Sequence, residues 1–115
     1  MSHITIIPAD KRITVSAGGV MIADSANALV LAEGAYPPVF YIPKADIDMA
    51  RLSKTATASH CPHKGDATYW AIVAGDETIA DAGWSYDQPF DDGASIRNHI
   101  AFYGAKVRVE TTPPD

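Results

Sequence analysis

Apolar residues in this chain recur at every second position, in short runs that stop at glycine, proline or asparagine. Two is the repeat of a half-buried β-strand, whose successive side chains point to opposite faces; a helix repeats every 3.6 residues. In 12–16, Ile13 and Val15 alternate with Arg12, Thr14 and Ser16. Similar runs occupy 4–6, 20–24, 29–31, 39–42, 55–60, 68–73, 77–82, 100–103 and 106–110. The pattern predicts an all-β fold of about eight short strands, in two packed antiparallel sheets with one short helix.

The breaks between runs predict the connections. A turn at 8–11 and another at Gly18-Gly19 make the first three strands read as a meander. Pro37-Pro38 interrupts the ladder, because proline has no N–H to donate. Residues 44–52 carry Ile47, Ala50 and Arg51 at helical spacing behind Asp46 as a cap, so the helix is placed there. Gly75-Asp76 joins the clearest hairpin, and Gly104-Ala105 is expected to join the last two strands in another. A helical turn is expected at 95–98 and a frayed tail at 111–115. The expected core is Ile13, Val15, Val20, Ile22, Leu29, Leu31, Phe40, Ile72, Ile79, Phe102 and Val107. With 115 residues and no linker, the expectation is one domain over 1–115, its core about 3–110.

Charge and cysteine usage narrow the function classes. The formal charge is −5, and the nine basic residues are scattered. Binding nucleic acid needs a basic stripe against the phosphates, so no nucleic-acid partner is expected. The single cysteine, Cys61, excludes an intrachain disulfide. No apolar run is long enough for a membrane span, and the first residues lack a signal-peptide pattern, so the expected location is the cytoplasm with no membrane partner. The expected assembly is a monomer or small homo-oligomer, with no cofactor.

Five motifs carry a family resemblance between about residues 18 and 109: Val20-Met21-Ile22-Ala23-Asp24-Ser25, with Glu33; Tyr41-Ile42-Pro43-Lys44-Ala45-Asp46; Cys61-Pro62-His63-Lys64-Gly65-Asp66-Ala67-Thr68-Tyr69; Gly83-Trp84-Ser85-Tyr86; and Ala101-Phe102-Tyr103. They resemble the bacterial domain of unknown function 427. The resemblance implies a β-tent fold, some of whose relatives bear zinc or bind ligands. The family also carries a nucleotidyltransferase-like label in some classifications. Where the family has a tyrosine after the Cys-Pro pair, this chain has His63.

The chemistry-bearing residues admit more than one reading. His60, His63 and Lys64 surround Cys61 in sequence, and nearby positive charge favours a thiolate; a free cysteine is equally a small buried hydrophobe. Lys64 in a proline-initiated turn suits an anionic group as a point charge, or is a solvated turn lysine. Trp84 and Tyr86, two apart, share a face that Tyr69 joins across the hairpin, as a pocket wall or as core. Glu33, at a strand end, balances Lys64 or is exposed. Structural zinc wants four ligands; His60, Cys61 and His63 lack a second pair beyond the distant His99, so no metal is expected. Nucleotidyl transfer wants paired carboxylates and a phosphate cradle, and Asp91-Asp92 reads as a solvated loop. The leading expectation is a small-molecule-binding domain using Lys64, Trp84, Tyr86, Tyr69, Cys61 and Glu33. The alternatives are an enzyme using Cys61 as thiolate, and a structural or interaction module.

Overall fold

The computed structural model describes residues 4–62 and 64–113, with Asp92 by its backbone alone. In chain order the strands are β1 (Ile4–Pro8), β2 (Arg12–Ala17), β3 (Val20–Ser25), β4 (Leu29–Glu33), β5 (Val39–Pro43), β6 (Leu52–Cys61), β7 (Gly65–Ala74), β8 (Glu77–Ser85), β9 (His99–Phe102) and β10 (Arg108–Thr112). They form a seven-stranded sheet in the order β1-β4-β5-β9-β8-β7-β6 and a three-stranded sheet in the order β10-β2-β3. The pairings are antiparallel. No helix among the described residues is long and apolar enough to cross a membrane.

The larger sheet carries an apolar cluster on each face. Ile13, Val15 and Ile22 of the small sheet meet Ile42, Trp70, Ile72, Ile100 and Phe102 of the large one, forming the inter-sheet core. Ile4, Leu31, Tyr41, Ala67, Tyr86, Ile96 and Ala101 form the second cluster. Neighbours in sequence therefore enter different clusters: Tyr41 and Ile42 are each 1% exposed. A strand buried on both faces reads as a continuous apolar run, which is how Val39-Phe40-Tyr41-Ile42 reads. Of the expected core, Ile13, Val15, Ile22, Leu31, Ile72, Phe102 and Val107 are buried. Val20, Leu29, Phe40 and Ile79 are half-buried against the two clusters.

Local turn chemistry holds where strands are joined tightly. Gly18 and Gly19 both have positive φ, +55° and +79°, which a two-residue hairpin turn of this hand demands. The hairpins β2–β3 and β7–β8 form as expected, and β4 also pairs with β5 across Pro37-Pro38, where only a strand break was expected. Two expected connections do not form. β1 pairs with β4 instead of opening a meander. β9 and β10 do not form a hairpin, because both edges of β9 are taken by β5 and β8. A turn at 103–107 buries Val107 between the sheets and delivers β10 to β2.

The expected helix at 44–52 is also replaced. Two 3₁₀ turns, Lys44–Asp46 and Met49–Arg51, flank an extended Ile47. Ile47 is buried and bridges to Ala23 of β3, and the Asp48 N–H donates to the Ile22 carbonyl at 2.8 Å. An isolated two-turn helix is marginal, so docking Ile47 into the inter-sheet core wins. Asp46 caps nothing; it accepts a hydrogen bond from the Ser25 hydroxyl at 2.6 Å. The expected turn at 95–98 lies earlier, as 3₁₀ over Asp91–Ile96.

The edge strand β6 is irregular. Its pairing with β7 shifts between Lys54 and Ala58, and that of β8 with β7 shifts between Gly83 and Ile79. Asp81, with φ 51°, sits in the second irregularity and accepts hydrogen bonds from Thr55 (2.6 Å) and Thr57 (2.7 Å) in the first.

Alternation in β7 sets a direct test of the layer arrangement. Ile72→Ala removes a side chain with 0% exposure from the inter-sheet core and should cost about 3 kcal/mol in urea unfolding. Its neighbour Val73 points outward, and Val73→Ala should cost no more than about 0.5 kcal/mol. Equal losses would contradict the two-layer packing.

Candidate functional site

The tightest bend of the site is the β6–β7 turn. The Lys64 N–H donates to the Cys61 carbonyl at 3.3 Å, and the Phe90 N–H donates to the Lys64 carbonyl at 2.9 Å. Gly65 has φ +111°, and a Cβ there would stand 3.3 Å from the Gln88 carbonyl oxygen. Only glycine suits both conditions, so the turn is clamped against residues 88–90. This clamp aims the Lys64 side chain inward. Its Nζ lies 2.6 Å from Glu33 Oε1 and 5.5 Å from the centre of the Tyr86 ring. The two charged side chains are only 10% and 18% exposed.

Glu33 ends β4 and begins the turn into β5, where the Tyr36 N–H donates to the Glu33 carbonyl at 3.1 Å. The Glu33–Lys64 pair therefore ties two hairpin tips together. Between these tips lies a cleft of about 670 Å³, lined by Glu33, Tyr36, Pro37, Pro38, Val39 and the strand end His60-Cys61-Pro62. Tyr36 is 75% exposed, an unusual state for so large a ring.

Behind the cleft, aromatic side chains fill the second apolar cluster. Tyr69 and Trp84 are direct cross-strand partners on β7 and β8, and both pack with Cys61 against buried Tyr86 and Tyr41. Trp84 Nε1–H donates to the Tyr41 hydroxyl at 3.2 Å, with the rings edge to face. The Tyr103 ring lies 4.4 Å from Trp84, and Tyr69 shares a 2.9 Å hydrogen bond with Ser59. Burial pushes Tyr41 up to about 12, and the nearby Cys61 and Glu33 add to it. Burial also raises Tyr103 to about 12, aided by its hydrogen bond with Tyr69. Tyr86 is raised for the same first reason, then by Tyr41, Cys61, Tyr69 and Glu33. The site is thus a set of protonated phenols around one thiol and one ion pair.

All six expected residues meet here, in different roles. Cys61 and Glu33 line the cleft; Lys64 and Tyr86 lie behind Glu33; Tyr69 and Trp84 belong to the cluster and are not among the cleft-lining residues. Successive residues of β6 point to opposite faces. Cys61 accordingly faces the aromatic cluster, while His60 Nδ1 lies 2.7 Å from Asp66 Oδ1 on the other side. His63 and the Asp92 side chain lie outside the described residues. His99 Nδ1 is 2.8 Å from the Arg97 carbonyl. Among the described residues no group of three or more His, Cys, Asp and Glu side chains is placed to hold a metal ion.

Sequence reasoning missed Tyr41, Tyr103 and the Tyr36-Pro37-Pro38 wall. Tyr41 hides in a run that reads as core, and the two prolines read only as a strand break. It also missed a polar network on the opposite face of β7. There Asp87 accepts from Ser85 (3.0 Å) and Thr68 (3.2 Å), and Lys44 and Lys54 lie 3.4 and 3.8 Å from it. Burial raises the Asp87 carboxyl, but Ser85, Lys44 and Thr68 outweigh it and leave it below the usual carboxylate range.

A family model named NTP_transf_9 and described as a domain of unknown function (DUF427) matches residues 5–113. The chain belongs to the DUF427 family. No curated protein matches it. Two of the motifs that carry the resemblance, Cys61-Pro62-His63-Lys64-Gly65 and Trp84-Ser85-Tyr86, thus converge on one cluster through Cys61, Lys64 and Tyr86.

The buried phenols give the site an alkaline signature. A folded-state pKa raised from 10 to about 12 means that the unfolded chain releases a proton the folded chain keeps. The stabilisation is fully present below pH 10 and is lost as pH rises towards 12. Urea midpoints measured from pH 9 to 11 should fall more steeply for the parent than for Tyr41→Phe; parallel slopes would show that Tyr41 is not held protonated.

Proposed function

We propose that the chain is a small-molecule-binding domain whose site is the cleft between the β4–β5 and β6–β7 hairpin tips. The observation that carries this reading is the exposed Tyr36 ring on the wall of a cleft of about 670 Å³. Small-molecule sites typically span about 300–1,000 Å³ and combine apolar walls with a few placed polar groups. Here Tyr36, Pro37, Pro38, Val39 and Pro62 supply the apolar wall, and Glu33 and Cys61 the polar groups. Lys64 anchors an anionic group from behind Glu33, and Tyr86, Tyr69 and Trp84 form the rigid backing. Amide NMR shifts and thermal melts against a metabolite library test this reading. A ligand should move the amides of 33–39 and 60–62, and Tyr36→Ala should weaken it about tenfold, the order of one aromatic contact. A library in which no chemical class perturbs those amides would refute it.

A second reading, an enzyme using Cys61 as thiolate, draws on one observation: this free cysteine lines the cleft. Alkylation rate against pH separates the two. A midpoint near the ordinary thiol value of about 8.5 removes the enzyme reading and leaves binding untouched.

A further inference from the structure

We propose that Glu33 holds the place of an oxyanion ligand, which binds by exchanging with it on Lys64. This rests on the reading of the cleft as a small-molecule site and names the group that the ligand brings. Lys64 cannot follow a ligand outward. Its carbonyl is held by the Phe90 N–H at 2.9 Å, Gly65 is wedged against Gln88, and its ammonium lies between the Glu33 carboxylate and the Tyr86 ring. Leaving one charge of so enclosed a pair uncompensated is strongly unfavourable. An oxyanion that takes Lys64 must therefore arrive as the Glu33 carboxylate departs.

Glu33 is the partner able to depart. It is the more exposed of the two, 18% against 10%, and it borders both the ammonium and the open cleft. The residues that follow it, 34–38, are all exposed, so its carboxylate has a path into water. Replacing one carboxylate by another at Nζ conserves charge and a charge-assisted hydrogen bond, so the exchange itself is nearly balanced. The balance is tipped by the ligand's apolar body against Tyr36, Pro37, Pro38 and Val39. The displaced carboxylate stays close to the cleft and repels a second negative charge. The class that fits is a monocarboxylate with an apolar body, ahead of inorganic phosphate.

Calorimetric titration of the full chain with benzoate, acetate, phosphate and benzylamine tests the exchange. Glu33→Gln empties the place without removing its shape. It should bind benzoate at least about tenfold more tightly than the parent, which corresponds to about 1.4 kcal/mol, with acetate and phosphate weaker. Adding Lys64→Gln should abolish the gain. Glu33→Asp, which keeps the charge and shortens the reach, should fall between parent and Glu33→Gln and serves if the latter does not fold. The proposal is overturned if neither variant gains benzoate affinity, or if the gain survives Lys64→Gln. It is equally overturned if benzylamine binds the parent and is lost in Glu33→Gln, since Glu33 would then anchor a cation. A parent silent to the whole library, beside a variant that takes benzoate through Lys64, fails the cleft reading alone. A parent that binds library compounds, with no gain in either variant, fails the exchange alone.

Discussion

The seven-stranded sheet must bury both of its faces, and the rest of the molecule follows from how it does so. One face is covered by the small sheet of β10, β2 and β3, which supplies Ile13, Val15 and Ile22. Among the described residues, the other is covered by the 3₁₀ segment Asp91–Ile96, through Ile96, and by the sheet's own side chains, its aromatics above all. A face covered mainly by its own tyrosines and tryptophan is apolar in body and polar at the tips. That is why phenol hydroxyls, a thiol and the Glu33–Lys64 pair gather there.

The second face also explains why two distant turns meet. The tip of β4–β5 and the tip of β6–β7 belong to strands separated in the sheet by β9 and β8. They are joined by one contact of 2.6 Å between Glu33 and Lys64, laid over Tyr86 at the end of β8. The contact spans 31 residues of sequence and encloses both charges. Its desolvation is tolerated because each charge neutralises the other and the tyrosine face adds a favourable quadrupole for the ammonium.

Much of this was legible in the sequence, and the failures share a cause. Strands and the β2–β3 and β7–β8 hairpins are local signals, and Cys61, Lys64, Tyr86, Tyr69, Trp84 and Glu33 stand out as candidates through their motifs, although spacing does not fix whether the Cys61 turn and the Trp84 arm meet. The errors lie where a long-range partner overrules a local preference. Ile47 abandons a helix for the edge of β3, and β10 abandons β9 because β5 and β8 already hold it. Tyr41 was invisible as a site residue because a strand buried on both faces has no alternation to reveal which side chain faces which cluster. No spacing rule distinguishes a wall of Tyr36-Pro37-Pro38 from a mere interruption.

The tie from Thr55 and Thr57 to Asp81 has a consequence for life in a crowded solution. β6 is ten residues long, lies at the rim of the large sheet and contains no proline. A straight ribbon of that kind would invite a neighbouring molecule to zip onto its open backbone. By drawing two threonines towards a left-handed aspartate, the chain crimps the ribbon at its middle. Passing copies then meet two short, misaligned stubs in place of one continuous template for growth.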